Sequence, residues 1–396
     1  MTILAVNAGS SSLKFALYPA DGKGDVLPAV LSGRVEGLEP QGQAELRWND
    51  AQGVYLQPVA RDNDDVFVDA LAALRKLLID SKLKTPLAVA HRIVHGGAQF
   101  PHSVLVNDEV LKQLEQLNPL APLHQPHNIA GVRAFAAAFE GVPQIACFDT
   151  AFHADAPLIN LEFALPQALT ASGIRRYGFH GLSYQYIMSV LMQHSQRARG
   201  RVLMAHLGNG ASLCAAFNGH SIASTMGFSA LDGLMMGTRS GSLDPGVLLY
   251  LLEQGYDRDQ LVHLLYSESG LLGVSGLSAD MRALRQSESV AAEHAIDLFT
   301  QRIIRESGAM MTCMQGLDVI AFSGGIGEHD KILRSEVGMA LSWLGVEIDE
   351  KQNAMALGDA ILPIHASDSR VEVWVVPTDE GKVAAREAAA HLLEKR

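Results

Sequence analysis

The pattern that most restricts this fold is a strand, a turn of small residues and a second strand, recurring after ~200 residues. Its first copy runs Thr2-Ile3-Leu4-Ala5-Val6, turns through Asn7-Ala8-Gly9-Ser10-Ser11-Ser12, and leaves as Leu13-Lys14-Phe15-Ala16-Leu17-Tyr18. The second runs Arg201-Val202-Leu203-Met204-Ala205, turns through His206-Leu207-Gly208-Asn209-Gly210-Ala211-Ser212, and continues as Leu213-Cys214-Ala215-Ala216-Phe217. A third apolar strand, Asp318–Phe322, leads into Ser323-Gly324-Gly325-Ile326-Gly327-Glu328, read as another glycine turn. Glycine at such turns lets main-chain N–H groups close on phosphate oxygens, where a side chain would block the approach. One turn alone says little, because hairpins use Gly and Ser for steric reasons. Three, each after an apolar strand, point to phosphate binding. None fits the Walker GxxxxGK pattern or a Rossmann GxGxxG, so another nucleotide fold is required. Two halves that open alike predict a duplicated α/β domain with a cleft between the copies.

A chain of 396 residues is too long for one core, which agrees with two domains. The formal charge of −12 provides no basic stripe for nucleic acid or an anionic membrane. No apolar run reaches ~18 residues and no basic, apolar leader is seen, so a cytoplasmic protein is expected. Cys147, Cys214 and Cys313 lie far apart in apolar surroundings and read as buried, reduced thiols.

Short β-like segments are expected near 29–36, 43–48 and 54–60. Asp64 or Asp65 can cap a helix whose inner face carries Phe67, Ala70, Leu71, Leu74, Leu77 and Leu78. Leu87–Ala90 reads as a strand entering His91-Arg92-Ile93-Val94-His95-Gly96-Gly97, and Asn107 caps a helix with Leu111, Leu114 and Leu117 inward. Strand 144–148 ends on Asp149; a long helix spans about 289–314, a strand 371–376, and a last helix starts near Thr378. His91, His95, His124, His127 and His153 crowd the first half without zinc-ligand spacing and read mostly as loop anchors.

The motifs Asn7-Ala8-Gly9-Ser10-Ser11-Ser12-Leu13-Lys14, His91–Gly97, Phe148-Asp149-Thr150-Ala151-Phe152-His153, Arg175-Arg176-Tyr177-Gly178-Phe179-His180-Gly181, His206–Gly210, Gly237-Thr238-Arg239-Ser240-Gly241 and Gly324–Glu328 resemble the acetate kinase family in order and spacing. The resemblance implies two similar ribonuclease-H-like, actin-type ATPase domains with the nucleotide cleft between them. It places an acid-substrate and phosphate domain at 1–150, a nucleotide domain at 151–379, and a C-terminal helix, 380–396, packed back on the first. The reaction implied is Mg²⁺-dependent (or Mn²⁺-dependent), reversible, in-line transfer from ATP to acetate, giving acetyl phosphate and ADP, in a homodimer. The rivals are a propionate or broad short-chain acid kinase, and a non-catalytic nucleotide-dependent sensor on the same fold.

By match of motif, Asn7 and Glu380 would hold the metal and Lys14 would contact phosphate. Arg92 would bind the substrate acid, with Val94, Leu123 and Phe179 around its methyl, while Asp149, His180 and Arg239 would be catalytic. ATP would lie on His206, Leu207, Gly208, Asn209 and Gly210, on Asp280, Met281 and Arg282, and on Gly325, Ile326, Gly327, Glu328 and His329. Arginine suits these roles because its planar fork takes carboxylate or phosphoryl oxygens in pairs and stays charged. Acetate is already ionised near neutral pH, its pKa being about that of Glu, 4.3. The attack therefore needs no general base, and Asp149 is expected to orient the metal, its water or an arginine. Ala230, Ser242, Gln125 and His329 depart from the usual family residues; Ala230 opens room beside the substrate while Val94 keeps the acetate-type wall.

Overall fold

In this computed structural model, residues 1–9, 11–21, 23–39, 42–63, 65–81 and 85–394 are described. Contacts divide the chain into two compact units, Met1–Ala151 with Asp379–Arg396, and Phe152–Thr378. The first unit holds strands β1 (Thr2–Ala8), β2 (Ser12–Pro19), β3 (Leu31–Glu36), β4 (Glu45–Asp50), β5 (Gly53–Pro58), β6 (Ala88–Ile93), β7 (Val104–Leu105) and β8 (Gln144–Phe148). They form one sheet in the order β5-β4-β3-β2-β1-β6-β8-β7. The second holds β9 (Arg201–Leu207), β10 (Ala211–Phe217), β11 (His220–Ser224), β12 (Val319–Ser323), β13 (Leu362–Pro363) and β14 (Glu372–Val375), ordered β11-β10-β9-β12-β14-β13.

The two sheets repeat one plan. In the first, β1, β2 and β3 form an antiparallel meander, and β6 and β8 add in parallel beyond β1. In the second, β9, β10 and β11 form the meander, and β12 and β14 add in parallel beyond β9. Each sheet is thus a 3-2-1-4-5 arrangement, the ribonuclease-H-like order. Even the edges match, since β7 pairs antiparallel with β8 and β13 with β14. The parallel strands β8 and β12 are buried along all five residues, as their unbroken apolar runs require when both faces are covered.

Helices follow their local signals. The Asp65 side chain accepts from Phe67 N at 2.9 Å and starts helix Val66–Asp80, whose Leu74, Leu77 and Leu78 are buried; Asp64 lies outside the described residues. Each such leucine contributes about 2 kcal/mol of transfer free energy. Asn107 caps Asp108–Glu115 through Val110 N, and Ser289 caps Val290–Met314. Helix Glu380–Glu394 packs on β1, β6 and β8 and buries Val383, Ala384, Ala385, Ala388 and Ala389. Its small side chains allow close approach, and Tyr18 anchors its start by donating to Asp379 Oδ1 at 2.6 Å.

Two expectations are corrected. The segment after β12 is not a turn but a short helix, Gly324–His329. Its own Glu328 reaches back so that Oε1 accepts from Gly324 N at 2.9 Å, closing the helical turn. And Cys313 is exposed, whereas Cys147 and Cys214 are buried. Helix Val290–Met314 buries Ile303, Ser307, Met310, Met311 and Met314, and position 313 falls off that stripe.

Candidate functional site

In the first unit, parallel strands β1 and β6 pair as far as Val6 and His91, and Asn7 and Arg92 come next, one residue before each strand ends. Asp149 follows β8, the neighbour of β6 on its other side. Arg92 Nε donates to Asp149 Oδ1 at 3.0 Å and its Nη2 to Oδ2 at 2.6 Å, a two-pronged pair. Glu380, at the start of the last helix, brings Oε2 to 3.4 Å from Arg92 Nε. Burial pushes the Asp149 carboxyl above the usual carboxylate range, Arg92 opposes this, and Glu380 adds to it. Burial works against the Arg92 charge, but the two carboxylates outweigh it and raise its pKa. Lys14 pairs across the hairpin with Asn7 and is exposed. Val94 is buried, whereas Leu123 is 44% exposed.

In the second unit, His180 enters helix Gly181–His194 in the left-handed region, at φ 58°. For a non-glycine residue this costs about 1 kcal/mol, a strain that marks constrained loops. The loop is held from beneath: His153 bonds Ser221 Oγ through Nδ1 at 2.8 Å and the Phe179 carbonyl through Nε2 at 3.0 Å. Gly178, at φ +75°, lies so close to the His153 ring that a Cβ would meet Cδ2 at 2.5 Å. The His180 ring stacks on that of His206 with centroids 4.3 Å apart, and its Nδ1 lies 2.8 Å from Ser212 Oγ.

The glycine turn between β9 and β10 gathers the remaining segments. A Cβ on Gly210 would stand 3.2 Å from His180 Nε2 and 3.7 Å from Arg239 Nη1. Arg239 is steadied by donating Nη1 to the Ala230 carbonyl at 3.0 Å. The Asn209 carbonyl accepts from Gly237 N at 3.0 Å, and Gly237 faces the Ala279 carbonyl beside Asp280. Gly208 approaches Gly325 N, and Gly324 packs on the Leu207 carbonyl. The three segments read from sequence as nucleotide-binding therefore converge, together with the loop that carries Arg239. Asp280 caps helix Met281–Arg285 and pairs with Arg282 in the open, so that pair adds little energy. Glu328 Oε1 is engaged by Gly324 N and Thr378 N, and His329 Nδ1 bonds the Gly325 carbonyl.

Several supporting residues escaped the sequence reading. Asn128 accepts from Val94 N and donates to the Ala8 carbonyl, tying together the strand ends that carry Asn7 and Arg92. Gln125, noted in the sequence only as a departure from the usual family residue, brackets both main-chain groups of His95. Arg334, fully buried, donates to the Gly327, Glu328, Asn353 and Ala356 carbonyls and so clamps the end of helix Gly324–His329. Burial pulls its pKa down to about 10. A polar residue inside an amphipathic helix, three or four positions from apolar neighbours, was the one available signal for Asn128 and Arg334.

Two 3-2-1-4-5 units, one ending in an Arg–Asp–Glu constellation and the other gathering glycine loops around a histidine and an arginine, define an actin-type ATPase fold equipped for phosphoryl transfer. Residues 2–386 match the model of the Acetokinase family. The acetate kinase of Rhodopseudomonas palustris (strain ATCC BAA-98 / CGA009) is 46% identical over 389 residues, 97% of this chain and 96% of its own. Among solved structures, Porphyromonas gingivalis acetate kinase superposes with a TM-score of 0.87 at 35% identity, covering 99% of each chain. A propionate kinase from Francisella tularensis superposes at 0.88 with 34% identity, covering 98% of each. The chain belongs to the acetokinase family.

Proposed function

We propose that this protein transfers the γ-phosphoryl group of ATP reversibly to acetate, giving acetyl phosphate and ADP by direct in-line displacement. The observation that carries the reading is the Gly210 turn, which has His180 Nε2 and Arg239 Nη1 beside it. Phosphoryl transfer spreads negative charge over the moving group, and fixed donors and cations aimed there lower the barrier. ATP is taken by the second unit on residues 206–210, 280–282 and 325–329, with Glu328 acting through the loop it holds, since a carboxylate repels phosphate. Phe179 lies on the acid's methyl side of that unit, and His180 and Arg239 stabilise the phosphoryl group.

The first unit takes the acid. Arg92 binds the acetate carboxylate, with Val94 and Leu123 near its methyl, and Lys14 contacts phosphate. Asp149 aims the guanidinium fork and takes no proton, acetate being ionised already. Two carboxylates around one guanidinium leave a surplus negative charge, and Glu380, Asp149 and the Asn7 amide offer only hard oxygen donors. That set fits Mg²⁺ or Mn²⁺ held by one or two side chains together with phosphate oxygens. The ion supplies charge neutralisation on the phosphates when bound.

Ala230 favours a second activity. Arg239 donates to its carbonyl, which sets position 230 beside the guanidinium, and with only a methyl group at that position propionate should be turned over as well. ATP, Mg²⁺ and acetate with hydroxylamine as trap should yield the hydroxamate of an acyl phosphate; ATP binding without hydroxamate would instead indicate a sensor. Comparison of kcat/KM for acetate, propionate and butyrate decides the acid; a propionate preference beyond roughly tenfold would reverse the assignment. A cytoplasmic homodimer goes with this reading. Helix Pro245–Glu253 supports the dimer, because none of its residues is buried and Leu249 and Tyr250 are 63% and 58% exposed.

A further inference from the structure

Resting on the phosphoryl-transfer reading above, we propose that Tyr184 and Ser212 are positioning residues that hold His180 as the Nε2–H tautomer. Ser212 Oγ lies 2.8 Å from His180 Nδ1 and 2.5 Å from the Tyr184 hydroxyl, and all three side chains are buried. The direction of this chain is part of the proposal, since either hydroxyl is able to donate in the Tyr184–Ser212 bond. Burial keeps the Tyr184 phenol protonated, so it has a proton to donate. In the proposed direction that proton goes to Ser212 Oγ. Ser212, accepting from the phenol, turns its own proton to His180 Nδ1. With Nδ1 accepting, the ring proton resides on Nε2, the atom that flanks the Gly210 turn.

The groups facing the ring agree with a neutral imidazole in this role. His206 stacks against it at 4.3 Å with its own Nδ1 on Ser183 Oγ, and Arg239 supplies the nearby positive charge. Nε2–H then donates to a phosphoryl oxygen and no proton moves during transfer. The opposite tautomer would aim a lone pair at an anion. Tyr184 and Ser212 are fully buried, so the relay sets His180 before substrate arrives.

The test is ¹⁵N NMR of protein carrying ring-labelled histidine, with His180→Asn used to assign the His180 signals. Wild type should show a protonated Nε2 and an unprotonated Nδ1 across pH 7 to 8.5. Ser212→Ala should mix the tautomers and lower kcat roughly 10- to 100-fold while each KM stays within about threefold; Ser212→Thr should restore both. Tyr184→Phe, which removes a single oxygen, should give an intermediate loss and decides the matter if Ser212→Ala does not fold. A wild-type ring protonated at Nδ1, or a Ser212→Ala protein with unchanged tautomer and kcat, would overturn the relay. A wild type that makes no acyl phosphate overturns the functional reading alone, because the nitrogen shifts report the tautomer without turnover.

Discussion

Arg92 is the residue whose surroundings say most about the chemistry. A guanidinium held by Asp149 in two bonds keeps one orientation, and the strand ends fix its origin. Asp149→Asn keeps the shape but weakens that hold, so kcat/KM for acetate should fall about 100-fold, mostly in kcat. Because no proton is taken from the acid, the variant's rate should follow the same pH profile as wild type between pH 6 and 9; an acidic limb lost only in the variant would show Asp149 to be a base. At this scale the sequence was informative where chemistry is local. Asp149 at a strand end and His180 between glycines were visible, but the Asp149–Arg92 pair was one of several partners then open. Ser212, Asn128 and Arg334 were hidden because each matters through atoms far away in the chain.

Short elements in this molecule depend on single buried polar groups. Arg334→Leu would leave four carbonyls without their donor and loosen helix Gly324–His329. A loss of roughly 3–5 kcal/mol in chemical denaturation is expected, together with a raised KM for ATP. Buried histidines make strand and loop contacts acid-sensitive. Desolvation lowers His91 and His153 from 6.5 to about 4, against weaker hydrogen-bond support. The unfolded chain therefore binds more protons in that window, and stability is lost as pH falls from 6.5 towards 4. Each contributes on the order of 3 kcal/mol, so Tm should drop between pH 7 and 5, and His153→Gln should flatten the slope. The caps at Asp65, Asn107 and Ser289 were legible because a cap is a local matter. Helix Gly324–His329 was not, since paired glycines read as a turn until Glu328 is seen closing it. Cys313 could have been placed correctly by following the stripe of its helix rather than the apolar character of its neighbours.

For the whole molecule, the repeated 3-2-1-4-5 sheets were legible as two hairpins ~200 residues apart, a spacing that survives divergence because both hairpins serve backbone geometry. The added β4–β5 ribbon and the seating of the last helix were less visible, since alternation and helical periodicity do not say which sheet an element joins. Association is testable at this level: Leu249→Glu with Tyr250→Glu should convert a dimer to monomers in mass photometry at nanomolar concentration, leaving the circular dichroism unchanged.

The first unit is written in two pieces, and the piece that supplies Glu380 follows the whole of the other unit along the chain. On the ribosome, Phe152–Thr378 can complete its core while the earlier unit still waits for the helix that covers β1 and β6. A chain cut between Thr378 and Asp379 therefore keeps the other unit whole but leaves Arg92 without one of its two counter-charges.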